Sequence, residues 1–203
     1  MRKLIVRAFN ISLDGVSAEY GTEYFEWCMS GIDPRVPEAA GPHQLQADDS
    51  LLDPTGELYQ RAYALIMGRV SYEAMAAHFA PGGTQTDHPW AAIFNAARKV
   101  VFSRTLKTAD WANTTIAGGD TAEEIEKLRQ GDDGHIVVYG GLSFWQSLMR
   151  LDLIDYFYLT MIPYVAGEGR RLFKDVGKYG PLDLVSSMTL SNGTLELEYR
   201  RHR

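Results

Sequence analysis

The chain has a single cysteine, Cys28, among 203 residues. An internal disulfide framework is therefore excluded, and a reducing compartment is the simpler expectation. Cations are outnumbered: 20 Lys and Arg stand against 26 Asp and Glu, for a formal net charge of −6. A nucleic-acid partner needs a basic face, so none is expected. No stretch approaches the ~18 apolar residues of a membrane span, and the scattered cations form no membrane-binding segment. The opening run MRKLIVRAFNISLDG is broken by Arg7 and Asn10 and lacks a clean small-residue cleavage site. It reads as a first strand rather than a signal peptide, which makes the cytoplasm the expected location.

Several chemistries also lack their motifs. His43, His78, His88, His135 and His202 are not spaced with another His, Cys or acid as metal ligands are, so no metal site is expected. There is no G-x-G-x-x-G after a strand and no G-x-x-x-x-G-K-[ST]. Gly141-Leu142-Ser143 opens like a nucleophile elbow, but Trp145 stands where its last glycine belongs, which argues against a serine hydrolase.

What is present is a globular chain with 45% hydrophobic residues. Strand-like runs cover Leu4–Ile11, Tyr63–Met67, Lys99–Phe102, Thr114–Ala117 and Ile136–Tyr139. Helical patterns lie between them, over Val70–Phe79, from Pro89 through Phe94, from Thr121 past Leu128, and from Leu142 to Met149. Asp87 before Pro89 reads as one helix start, and Thr121 with Glu124 as a capping box for another. Asp155–Val165 is a long strand-like segment. Residues 194–200 alternate, with Leu195, Leu197 and Tyr199 on one face and Glu196, Glu198 and Arg200 on a face expected to be wet. Residues 31–54 carry Pro34, Pro37, Pro42 and Pro54 and read as a long loop or lid. The alternation predicts one α/β domain over 1–203, a mixed, mostly parallel sheet flanked by helices with an antiparallel C-terminal edge.

Three of the strand ends are followed by small or cationic residues: Gly68-Arg69-Val70-Ser71, Ser103-Arg104-Thr105 and Tyr139-Gly140-Gly141-Leu142-Ser143-Phe144. Ligands of open α/β sheets bind beyond the carboxyl ends of strands. Paired glycines let a backbone approach a diphosphate at a helix N-terminus. Arg69 and Arg104 suit phosphate oxygens, and Ser71, Ser103 and Ser143 add hydroxyl groups. Each feature has a plainer reading as a tight turn, a solvated cation or a polar strand end. Together they point to one long anionic ligand.

The order and spacing of ISLDG, IMGRVSYE (66–73), KVVFSRTL (99–106), WANTTIAGGD (111–120), IVVYGG (136–141) and LIDYFYLTMIPYVAGEGRRLF (153–173) resemble the dihydrofolate reductase-like proteins. Within that group the chain is most similar to the reductase domain of riboflavin biosynthesis and its stand-alone relatives. The resemblance implies NADPH as cofactor. It puts Gly68, Arg69 and Ser71 at the cofactor phosphates, and Ser103 and Arg104 at the adenosine ribose and its 2′-phosphate. It also puts Gly140 to Phe144 at the diphosphate turn, and Ala8 and the SLDG loop along the nicotinamide. Tyr139, Trp27, Trp145 and the 31–54 segment become candidate pocket walls, and Asp14 or Asp33 a candidate proton donor, with Glu23 and Glu26 as rivals. A homodimer is a further expectation, with Asp155–Val165 as a possible contact.

The chain departs from the family pattern in lacking the zinc deaminase motifs, and in reading Asp155-Tyr156-Phe157 where relatives read Asp-Glu-Leu. The reading is an NADPH-dependent reductase of a small pterin- or pyrimidine-like heterocycle, or of a carbonyl or imine. The alternatives are a non-catalytic nucleotide-binding or regulatory protein that keeps the dinucleotide site, and a flavin-binding α/β protein, which would purify yellow.

Overall fold

The computed structural model describes residues 1–19, 22–30, 57–190 and 193–202. Asp33 and all of the 31–54 segment fall among the residues it does not describe. The strands are β1 (Leu4–Ser12), β2 (Ala62–Gly68), β3 (Lys99–Phe102), β4 (Thr114–Ala117), β5 (His135–Val138), β6 (Tyr156–Ile162), β7 (Leu182–Thr189) and β8 (Leu195–Arg201). The helices are α1 (Glu23–Ser30), α2 (Glu57–Gln60), α3 (Arg69–Phe79), α4 (Pro89–Ala96), α5 (Thr121–Arg129) and α6 (Leu142–Arg150). The contacts divide the chain into two compact units, where the sequence suggests one domain. The first holds residues 1–7, 56–156 and 176–179, and the second holds 8–55, 157–175 and 180–203. β1 runs through both.

In the first unit the strand order is β4-β3-β2-β5-β1. Every pairing in it is parallel, with Leu65 opposite Lys99, Ile66 opposite Val138, and Val6 opposite Val138 on the other side of β5. Parallel strands covered on both faces read as unbroken apolar runs. Ala64 to Met67 and Ile136 to Val138 accordingly have no exposed surface. Two cations that enter this core are tied by hydrogen bonds. Arg129 Nη1 donates to Asp155 Oδ2 at 2.7 Å, and the Leu4 N–H donates to the same oxygen at 2.8 Å. Asp155 thus anchors the start of β1 to the last turn of α5. Lys99 closes the end of α4, its Nζ donating to the Phe94 and Ala97 carbonyls at 2.7 and 2.8 Å. Burial pulls its ammonium down to about 8.

Two predicted helix caps shift by one residue. α4 is capped by His88, whose Nδ1 accepts from the Trp90 N–H, and not by Asp87. α5 is capped by Asp120, which accepts from Ala122 and Glu123, so Thr121 lies inside the helix rather than at its cap. Asp120-x-x-Glu123 satisfies the same pattern one position earlier, and the stronger acceptor takes the cap.

The second unit holds the rest of β1, followed by β6, β8 and β7 in that order, with β7 and β8 antiparallel. The sequence extends β6 to Val165. It ends at Ile162, before Pro163, which has no N–H to continue a ladder. β6 is flanked by β1 and β8. The alternation along β8 is present, but its polar face is only partly wet: Glu196 is 1% exposed, whereas Glu198 is half-buried and Arg200 is exposed.

Candidate functional site

The site begins where β2 and β5 end. Because these strands are parallel neighbours, the helices that follow them, α3 and α6, start at the same end of the sheet. Gly68 is both the last residue of β2 and the N-cap of α3, and Gly141 is the N-cap of α6. Neither cap has a side-chain hydrogen bond, in contrast to α4 and α5. Two helix starts therefore lie side by side with no side chain closing them. Such ends present N–H donors and the positive pole of the helix dipole, the arrangement that binds phosphate.

Steric demands explain the glycines. Gly140 and Gly141 have φ of 67° and 76°, in the left-handed region that side chains with a Cβ seldom adopt. A Cβ on Gly141 would lie 2.9 Å from Ser71 Oγ, and one on Gly140 would lie 3.2 Å from it. On the neighbouring helix, a Cβ on Gly68 would sit 3.7 Å from the Phe144 Cβ. The glycines thus let the first turns of α3 and α6 pack together, with the Ser71 hydroxyl between them.

The line continues across the sheet. The Phe102 ring, at the end of β3, lies 5.0 Å from the Phe144 ring of α6. Beyond it, Ser103 Oγ accepts from the N–H groups of Thr105 and Leu106 at 3.2 and 3.0 Å. That turn presents Arg104, which is exposed and has no hydrogen bond or ion pair among the described residues. A Cβ on Gly118, after β4, would lie 3.6 Å from the Ser103 carbonyl oxygen. Four adjacent strand ends thus carry glycine, serine or arginine. At ~4.8 Å between strands they span roughly 14 Å, which suits an elongated ligand.

Not every nominated residue faces this line. Arg69 is paired with Glu73 at 2.8 Å. Tyr139 turns its ring edge-on to Phe94 and Tyr59, at 5.0 and 5.7 Å, and burial pushes its hydroxyl up to about 12. Trp145 is 4% exposed and shares the buried face of α6 with Leu148 and Met149, the plainer of its two readings. Leu142 is half-buried, and Ser143 is exposed on the first turn. Gly118 and Glu73 were not nominated. Gly118 repeats the strand-then-small-residue pattern, and Glu73 stands at i,i+4 from Arg69.

In the second unit, Ala8 is buried in β1. Asp14 has a bracing task. Its Oδ1 accepts from Ser12 Oγ at 2.7 Å and from the Ala166 N–H at 3.0 Å, and its Oδ2 accepts from the Gly167 N–H at 3.0 Å. These bonds, led by the Ser12 hydroxyl and the Ala166 N–H, hold its carboxyl at about 2 against an ordinary 3.8. A carboxylate so held is ionised near neutrality and is a poor proton donor. Because the folded-state value is lowered, the brace is at full strength above pH ~3.8 and is lost as pH falls through about 2. Denaturant midpoints followed from pH 5 to pH 2 are expected to fall less steeply in Asp14→Asn than in the unaltered chain. Superimposable pH profiles would show that Asp14 contributes nothing.

Next to this brace the second unit has a cavity of ≈ 230 Å³, whose walls include Val16, Glu23, Tyr24, Tyr164 and Arg170. Tyr164 stacks on Tyr24 at 4.9 Å and meets Trp27 at 4.7 Å. Of the acids nominated from sequence and described here, Glu23 lines this cavity, whereas Asp14 and Glu26 do not.

The sequence matches the family model of the RibD C-terminal domain over residues 2–195. The chain belongs to that family. One curated relative is the uncharacterized protein YyaP of Bacillus subtilis (strain 168), 36% identical over 108 residues. That alignment takes in 53% of this chain and 56% of YyaP, so it spans little more than half of either protein. Among solved structures, the fold is similar to that of a putative riboflavin biosynthesis protein from Shewanella sp. PV-4, with a TM-score of 0.69, 20% identity and full coverage of both chains. It is also similar to dihydrofolate reductase from Enterococcus faecalis, solved as a complex with NADP(H), with a TM-score of 0.57 and 16% identity over 99% of this chain and 97% of that one. The expected family and the mixed, mostly parallel fold with an antiparallel edge are therefore confirmed. Among the described residues no helix is long and apolar enough to cross a membrane, and no cluster of His, Cys, Asp and Glu is suited to a metal.

Proposed function

We propose that the chain is an NADPH-dependent reductase that delivers hydride to a flat pterin- or pyrimidine-like heterocycle, or to a related carbonyl or imine. The observation that carries this reading is the pair of uncapped helix starts, closed together at Gly140, Gly141 and Ser71. Their N–H groups suit the cofactor diphosphate, and Arg69 supplies charge to it. Arg104, exposed at the tip of the Ser103 turn, suits the 2′-phosphate. NADPH, when bound, supplies the hydride. The chain's own part is to hold the phosphates at fixed N–H dipoles and to orient the reactive end by that grip.

Family membership supports a reductase, and the neighbouring dihydrofolate reductase fold was solved with NADP(H). The second reading is a nucleotide-binding or regulatory protein without turnover. The engagement of the Asp14 carboxylate as a brace favours it, because the family-matched acid has no proton to give. NADPH oxidation, followed by absorbance with a panel of pterins, pyrimidines and quinones, separates the two readings. Substrate-dependent oxidation is the expected result. NADPH binding with no oxidation across the panel would favour the second reading.

A further inference from the structure

α3 places a cation where a helix disfavours one. Arg69 is its first residue, its first turn contains no acid, and its N-cap is not closed by a side chain. A positive charge there opposes the helix dipole. α5 shows the stabilising alternative, with Asp120 as cap and Glu123 and Glu124 in the first turn. Helix stability therefore gives no reason for Arg69. Glu73, one turn further on, holds it: Arg69 Nη1 donates to Glu73 Oε1 at 3.0 Å and to Oε2 at 2.8 Å. The two side chains are 44% and 47% exposed.

From this geometry we infer that Glu73 is a positioning residue that limits cofactor affinity. It parks the Arg69 guanidinium along α3, and phosphate oxygens at the helix starts draw it away. The inference rests on the cofactor reading above. The pair is exposed and made through one guanidinium nitrogen, so it separates at little cost. Glu73 opposes an incoming phosphate in two ways: it competes for Arg69, and its own charge repels the anion. Its counter-role is to offset the cation at the start of α3 while the site is empty. Affinity is thus held below what Arg69 alone would confer, and the restraint is electrostatic, so salt should weaken it.

The test uses the full chain and measures NADPH dissociation constants by calorimetry. Glu73→Gln keeps the side-chain length and removes the charge. It is expected to tighten NADPH about 3- to 10-fold at low ionic strength, with most of the gain lost at high salt. In an Arg69→Ala background the same substitution is expected to change affinity far less, because the competition it relieves is gone. A chain that binds NADPH but is unchanged or weakened by Glu73→Gln would overturn the inference. An equal gain in the Arg69→Ala background would also overturn it, by reducing Glu73 to one charge among many. If neither the unaltered chain nor any variant binds NADPH, the cofactor reading itself fails and the inference falls with it. Unchanged circular dichroism shows that each variant is folded.

Discussion

Gly141→Val is expected to lower NADPH affinity by about 100-fold or more while leaving a folded chain. The residue sits at φ 76° and ψ 80°, and a Cβ there would meet Ser71 Oγ at 2.9 Å. A β-branched side chain in the left-handed region costs roughly 1–2 kcal/mol, which a domain can absorb. The effect on binding is larger because the same atoms do two things. They set the angle at which α6 begins, and they keep the space in front of its N–H groups empty. Valine would both rotate those donors and cover them. Losing two charge-assisted hydrogen bonds at about 1.5–3 kcal/mol each accounts for the expected loss. The check is an NADPH titration alongside a thermal unfolding curve. Affinity within a few-fold of the unaltered chain, in a folded variant, would make the glycine pair a packing device alone.

Arg104→Ala is expected to separate the two nicotinamide cofactors. NADPH should weaken by about 10-fold or more, the lower end of a hydrogen bond to a charged group, and NADH should change little. The reason is position. Ser103 Oγ closes the turn by accepting from Thr105 and Leu106, which leaves Arg104 exposed at its tip. Arg104 has no carboxylate partner among the described residues, so none of these competes for its charge. Arg69, held by Glu73, is proposed to meet the diphosphate common to both cofactors, so Arg69→Ala should weaken both alike. Equal losses of NADPH and NADH in Arg104→Ala would remove the 2′-phosphate from that position.

Features set by local chemistry were legible in the sequence. β3 and β4 were read with the bounds the structure shows, because each is a short run of β-formers between helix-breaking or polar residues. The start of α6 was legible from Gly140-Gly141, since two left-handed residues before an apolar helical period admit few alternatives. The row of small and cationic residues beyond the sheet is legible because three strand ends repeat one pattern. What failed depends on distance in the chain. Asp14 looked like a free acid in a turn, yet two of its partners, Ala166 and Gly167, lie more than 150 residues away. The alternation along β8 shows that its faces differ, but not that a buried layer covers Glu196. Trp145 is equally good as a pocket wall and as core, and only packing distinguishes the two. The caps of α4 and α5 are one residue off where two cap-forming residues are adjacent, as at Asp87-His88 and Asp120-Thr121. α1, with the sequence EYFEWCMS, has a weak apolar period and was not read as a helix.

On the function proposed above, the ends of β2, β3 and β5 form one site for a dinucleotide carrying an extra phosphate. Calorimetric titration of the unaltered chain with NADPH and with NADH, under the same buffer and salt, tests it most directly. One NADPH per chain is expected, bound at least ten-fold more tightly than NADH, the difference expected from one charged contact to the 2′-phosphate. Absence of NADPH binding, or equal affinity for the two cofactors, would contradict it.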